Sequence, residues 1–229
     1  MSDAIAWHTT IARSFADRYR HSPAFREREA VWRDLIARYT KPGGHALDAG
    51  CGSGVMAALA ADRGAHVLAF DASPAMLNLA AESLHGQTAG KVELQLAEMG
   101  DPTLLQERSF DLILCSSVME YLDDWWAAFD WLAASLAPSG TILLSMPNGQ
   151  SLYRRTERTM FRLTGRPAYY RHVRAVPRLV DIEHGLRQRG FCLNEHRFYA
   201  RAPVLSPILR ALGLERYSDT LFVVAARRI

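Results

Sequence analysis

The residues best suited to chemistry lie in Leu47-Asp48-Ala49-Gly50-Cys51-Gly52-Ser53-Gly54. Glycines at alternate positions let a backbone turn sharply and approach a ligand closely. A helix that starts just beyond them points free N–H groups at that ligand. Phe70-Asp71 follows, with its carboxylate 21 residues after Gly50. A carboxylate at the end of the second strand of such a unit can accept both hydroxyls of an adenosine ribose. The loop reads G-x-G-x-G, not the G-x-G-x-x-G that cradles a pyrophosphate. A ligand with adenosine but no phosphates therefore fits the pair best.

These groups need a scaffold, and the hydrophobic pattern predicts one. Residues 1 to about 40 read as helical, with Trp7, Ile11, Phe15 and Tyr19, then Val31, Trp32, Leu35 and Ile36, near the 3.6 period. Ser22-Pro23 separates the two stretches and Lys41-Pro42-Gly43-Gly44 stops the second. Strands are then expected at 46–48, 66–70, 92–96, 110–115 and 141–146. Helices are expected at 55–62, 74–84 and 123–137, with a turn at Pro138-Ser139-Gly140. A helix over 177–189 leads into strands at 191–198 and 221–226 with no long helix between them, which predicts an antiparallel closing pair. The fold class expected is α/β: a Rossmann-like seven-stranded, mostly parallel sheet with an antiparallel last strand and helices on both faces. Residues 1–229 read as one domain, with a helical cap at 1–42 and an arginine-rich lid at 148–176.

Residues 46–54, 70–77 (FDASPAML) and 110–122 (FDLILCSSVMEYL) resemble the successive motifs of class I S-adenosylmethionine (SAM)-dependent methyltransferases. The likeness is close over about 45–147 and looser in the flanks, and the pattern is similar to quinone-biosynthesis and natural-product enzymes. The resemblance implies a cytoplasmic enzyme that uses SAM, releases S-adenosylhomocysteine (SAH) and needs no metal. It places Asp48, Gly50 and Gly52 at the methionine end, Asp71 on the ribose, and Ala72 and Met76 near the adenine. Ala97-Glu98-Met99 replaces the usual acidic-small pair, so Glu98 is assigned to the adenine amino group and Met99 to the ring. Cys115 and Ser116 would offer backbone contacts, Tyr19 a hydroxyl to the cofactor, and Arg28 a cation to its carboxylate.

Transfer from a sulfonium to a neutral amine needs little beyond positioning, whereas a hydroxyl of high pKa needs a base. His172 and His184, beyond the fifth strand, are the candidate catalytic bases, with His196 a further histidine near the sixth. Glu120-Tyr121 stands where the family commonly has Glu-His, which weakens the case for oxygen as the acceptor atom. The segment from Pro147 to Arg174 carries Arg154, Arg155, Arg158, Arg162, Arg166, Arg171 and Arg174 against Glu157. In related small-molecule enzymes this crossover covers the acceptor, so Tyr153, Arg154, Tyr169, Tyr170 and Arg171 are candidate acceptor contacts. Three readings stay open: a solvated face, a lid gripping a carboxylate or phosphate, and docking onto RNA or an anionic membrane. The leading expectation is methylation of a small molecule at oxygen or nitrogen, with acceptors that carry a carboxylate or phosphate among the candidates. An RNA methyltransferase and a non-catalytic SAM-binding partner are the alternatives.

Composition sets wider bounds. The chain has 229 residues, is 49% hydrophobic, and has no apolar run long enough to span a membrane. Its first residues lack a secretory pattern, and Cys51, Cys115 and Cys192 are too scattered for a zinc site, both consistent with the cytoplasm. A net charge of +3 is too small to mark a nucleic-acid binder, although all but two of the 27 lysines and arginines are arginine. The Trp125, Trp126 and Trp131 helix fits the core better than a dimer face, and either a monomer or a homodimer is compatible with the chain.

Overall fold

The computed structural model describes residues 5–10, 12–13, 22–84, 86–202 and 206–229. Tyr19, with the expected helical positions Ile11 and Phe15, lies outside the described residues. Residues 5–10 are helical, and α1 (Pro23–Tyr39) opens with its proline in the first turn, where no N–H is needed.

The chain then alternates: β1 (His45–Ala49), α2 (Val55–Asp62), β2 (His66–Asp71), α3 (Pro74–Ser83), β3 (Val92–Leu96) and β4 (Phe110–Ser116). It continues with α4 (Trp125–Ala134), β5 (Leu136–Pro147), α5 (Leu152–Thr164), α6 (Leu179–Gln188) and β6 (Phe191–Tyr199). Two short helices, α7 (Ser206–Ala211) and α8 (Glu215–Ser218), precede β7 (Leu221–Arg228). The strand order is β3-β2-β1-β4-β5-β7-β6. β1 runs parallel to β2 and β4, and β7 is antiparallel to both β5 and β6. The α/β class and the antiparallel last strand are as the periodicity predicts.

Strands buried on both faces read as continuous apolar runs, and alternate residues feed opposite cores. In β1, Ala46 joins Trp32, Leu35 and Met56 on the face covered by α1 and α2, while Leu47 joins Phe129, Ile182 and Leu186 beneath α4 and α6. Trp125, Trp126 and Trp131 pack on that second core. Gly185 makes this possible, because a Cβ there would sit 1.9 Å from Cζ2 of Trp126. Trp32 Nε1 donates to the Tyr199 hydroxyl at 3.3 Å and ties α1 to β6.

One local expectation differs. The helix α4 stops at Ala134, and the sheet resumes at Leu136, paired with Phe110. The next pair is Leu112 with Thr141, so Pro138-Ser139-Gly140 forms a bulge within β5 instead of a turn before it. Phe110 N–H donates to Ser135 O at 2.9 Å, and this early contact brings the strand edge forward.

The order of connections reverses between β1 and β4, and such a reversal opens a crevice at the carboxyl ends of the strands. Beyond β5, the Asn148 amide donates to Arg216 O at 2.7 Å and to Asp219 O at 2.8 Å, which fixes the approach to α5. Ser151 caps α5 by accepting from the Arg154 N–H.

Candidate active site

A cavity of about 700 Å³ occupies that crevice. Its floor is the glycine loop after β1. Gly50 has φ +71°, and a Cβ there would fall 2.5 Å from Cγ2 of Val118, so only glycine permits this turn and this approach. The N–H groups of Gly50 and Cys51 both donate to Phe70 O at 2.9 Å and lash the loop to the end of β2. Asp71 completes the lashing: Oδ2 accepts from Gly52 N–H at 2.8 Å and Oδ1 from Ser73 N–H at 2.9 Å. Burial raises its pKa, and those same backbone bonds oppose the rise.

Asp48 projects from β1 into the same end, 1% exposed. Burial pushes its carboxyl up to about 7, with the Asp71 charge adding to the effect and a backbone bond from Ala57 opposing it. Its Oδ2 has no hydrogen-bond partner among the described residues. Leaving such an atom unpaired costs about 1–3 kcal/mol, so the site suits a ligand that donates to it. Arg28 reaches over from α1 and donates to Ser116 O at 3.0 Å and Ser116 Oγ at 2.7 Å, closing the cap onto β4. Ser117 follows with φ +58°, a left-handed conformation that is costly for a non-glycine residue, and its N–H is held by Ser145 Oγ at 3.1 Å.

Ala72, Met76 and Met99 line the cavity beside Asp71. Glu98 does not. Ala97, anchored through its N–H to Asp71 O, faces the cavity, and the chain then turns so that Glu98 is exposed. Cys115 is fully buried in the core beneath the loop, where burial raises its thiol pKa, and only Ser116 reaches the cavity.

The other half is aromatic. Trp7, His8, Tyr121, Tyr153 and Tyr169 converge from the helical residues 5–10, the loop after β4, and α5 with the segment that follows it. Arg154 also lines it, with its guanidinium partly engaged: Nε donates to Thr220 O at 3.2 Å, and Nη1 donates both to Glu157 at 3.1 Å and to the Tyr169 hydroxyl. That hydroxyl donates in turn to Glu157 at 2.9 Å. Tyr170 is buried behind the wall, its hydroxyl on Arg154 O, and Arg171 is exposed outside it.

Of the histidines, His172 stacks on Trp7 at 5.4 Å behind the cavity lining, and His184 sits exposed on α6 against Gln188. His196 is exposed on β6. His8 is the histidine that lines the cavity, its ring 4.9 Å from Tyr121. Burial, reinforced by His172, pushes its pKa down to about 4 and keeps it neutral near pH 7. Glu120 is 3% exposed and pushed up to about 7 by burial, and its Oε2 has no hydrogen-bond partner among the described residues. Sequence reasoning passed over Glu120, His8 and Glu157 as chemical groups. An acid inside the apolar run Val118–Leu122, just after a strand, was the available signal for Glu120; nothing local marks His8. Among the described residues no cluster of three His, Cys, Asp or Glu is arranged for a metal.

A second cavity of about 560 Å³ lies among His45, His66, Val92 and Phe110, at the amino ends of the strands. Ligand crevices of such sheets open at the opposite ends.

A family model described as a methyltransferase domain matches residues 24–215. The ubiquinone biosynthesis O-methyltransferase of Xanthomonas campestris pv. campestris (strain B100) is 34% identical over 115 residues, covering 50% of this chain and 47% of that protein. Its namesake in Xylella fastidiosa (strain 9a5c) is 35% identical over 115 residues, 50% of this chain and 46% of that protein. The chain therefore spans about half the length of the curated relatives it matches. Among solved structures, magnesium protoporphyrin IX methyltransferase from Synechocystis PCC 6803 with bound SAH superposes with a TM-score of 0.69 at 17% identity, over 99% of this chain and 100% of that one. The N-methyltransferase NodS from Bradyrhizobium japonicum WM9, in complex with SAH, gives 0.62 at 17% identity over 92% and 90%. At these identities the structural likeness is one of fold.

Proposed function

The chain belongs to the methyltransferase-domain family, and from that premise we propose that it binds SAM in the crevice and methylates a small molecule at oxygen or nitrogen. The observation that carries this reading is the pair of carboxylates on the glycine loop: Asp48 with an unpartnered buried oxygen, and Asp71 locked by two backbone N–H groups. An ammonium group satisfies the first, and the remaining lone pairs of the second suit a ribose diol. Met76 and Met99 offer polarizable walls to an adenine. When bound, SAM supplies a methyl group already activated by its sulfonium leaving group.

The chain's own residues then have to place the acceptor and manage its proton. The aromatic wall of Trp7, Tyr121, Tyr153 and Tyr169 favours a flat, apolar acceptor. Arg154 is paired with Glu157 and Tyr169 through Nη1, which leaves only Nη2 for an incoming group, so an uncharged acceptor fits the wall better than one that needs a two-pronged grip on a carboxylate or phosphate. Glu120, at the boundary between the two halves, is placed to take a hydrogen bond from an acceptor hydroxyl or amine. A carboxyl pushed up to about 7 exchanges its proton readily near neutrality. The O-methyltransferase names of the curated relatives favour oxygen.

The test is to supply labelled SAM with a metabolite fraction in one tube and total RNA in another, and to follow the methyl group. Label in a small molecule is the expected result and yields a compound to identify. Label in RNA overturns the substrate class and makes the lid arginines a nucleic-acid contact. Bound SAM with no label in either tube would instead favour a non-catalytic SAM-binding protein.

A further inference from the structure

The outer surface of α5 is unlike the rest of the molecule. The helix has thirteen residues, none of them buried, although its inner face is engaged: Arg154 and Glu157 pair there, and Phe161 stacks on Tyr170 at 5.8 Å. At 3.6 residues per turn, Leu152, Thr156, Met160 and Leu163 fall on one outward stripe. Leu152 is 41% exposed, Met160 47% and Leu163 80%. Arg155, Arg158 and Arg162 form a second outward stripe beside it, all exposed and in no ion pair among the described residues. Arg166 and Arg171 extend the same charge beyond the helix end. α7, which packs with α5 against α8, exposes Ile208, and Leu212 lies exposed just past its end.

Leaving large apolar groups in water beside unneutralised arginines is costly unless one partner covers both. We propose that α5 lies flat on an anionic phospholipid surface, its Leu152–Leu163 stripe entering the headgroup boundary and its arginine stripe meeting lipid phosphates. A helix about 20 Å long is too short to cross a bilayer but long enough to lie in its interface. Charge decides between this and the other occupants. A second copy of the chain seated on the same stripe would bring two arginine rows together. A nucleic acid would neutralise the arginines and leave Leu163 and Met160 in water. The apolar stripe begins next to Tyr153, which lines the crevice, so a docked protein would hold that wall of the crevice close to the lipid. This docking does not depend on which acceptor is methylated.

Co-sedimentation of the full chain with phosphatidylcholine vesicles, with and without phosphatidylglycerol, tests the proposal. Each surface arginine is worth roughly a factor of five against an anionic leaflet, so three give a preference of roughly a hundredfold for the phosphatidylglycerol vesicles, reduced by salt. Arg155, Arg158 and Arg162 changed together to Gln should lower that preference by roughly the same hundredfold. Leu163→Glu should lower binding at least about tenfold, because its apolar contact is replaced by a like charge to the lipid. Both sites are exposed, and circular dichroism and Tm should stay as in the unchanged protein. The proposal is overturned if the unchanged chain fails to sediment with phosphatidylglycerol vesicles. It is equally overturned if Leu163→Glu sediments as well as the unchanged chain, or if gel filtration shows a dimer that Leu163→Glu converts to a monomer.

Discussion

Replacing Asp71 separates its hold on the glycine loop from the ribose contact proposed for it. In the folded chain Oδ2 accepts from Gly52 N–H at 2.8 Å and Oδ1 from Ser73 N–H at 2.9 Å. Asp71→Ala removes both bonds, but the freed N–H groups border an open cavity and can turn to water. Their loss is then at the low end of the usual range, about 1 kcal/mol each. Against it stands the relief of a carboxylate whose pKa burial has raised, so stability should change by no more than roughly 1–2 kcal/mol. Affinity should change more. Two hydroxyl donors on a carboxylate are worth about 1.5–3 kcal/mol each, so losing both weakens SAH binding by roughly a hundredfold or more. Asp71→Asn keeps one acceptor but must turn its NH₂ toward a backbone donor, so its loss should fall between tenfold and a hundredfold, on the order of one such bond. Isothermal titration with SAH beside a thermal melt reads both quantities. An Ala variant that binds SAH within about threefold of the unchanged protein would refute the ribose assignment. A fall in Tm of more than about ten degrees would show that the loop itself had come apart.

Asp48 and Glu120 both have carboxyls pushed up to about 7, so between about pH 4 and 7 the folded chain holds protons that the unfolded chain has released. His8, held down to about 4, opposes this below pH 6.5, where the unfolded chain takes up its proton, but two acids outweigh one histidine. Stability of the ligand-free protein should therefore still fall as pH rises through that window, with Tm higher at pH 5 than at pH 8. A ligand ammonium favours ionised Asp48, so SAM should expel a fraction of a proton near neutral pH, seen as a buffer-dependent binding heat that Asp48→Asn abolishes. A binding heat that is the same in all buffers would exclude that contact. Arg154→Met leaves Glu157 and Tyr169 facing a missing cation in a nearly closed site, at a cost of about 3 kcal/mol and several degrees of Tm. Changing Glu157 to Leu as well should restore most of that loss, and a melt in which it does not would sink the pairing argument.

Much of the cofactor half of the crevice could be read one residue at a time. A glycine loop between a strand and a helix, and an acid at the end of the next strand, are local patterns, because backbone conformation and strand ends are set within a few residues. The seven strands and the reversed last one follow from the same short-range periodicity. Glu98 shows the limit even there: whether a residue just past a strand faces the ligand or the solvent depends on one rotation of the chain, and Ala97 took the inward place. The aromatic half was not legible in this way. His8, Glu120, Tyr153 and Tyr169 meet across more than 160 positions of sequence, and nothing in their separate neighbourhoods encodes the meeting. The arginines make the same point from the other side. In the sequence they are one row of like charges. Helical geometry divides them, turning Arg154 inward to Glu157 and Tyr169 and leaving Arg155, Arg158 and Arg162 outward. Residue types and spacing thus determined the sheet, the glycine loop and the carboxylate at the end of the second strand. The aromatic wall, the protonation of the buried acids beside it and the division of the α5 arginines were decided by packing, since burial and charge proximity belong to the folded chain alone.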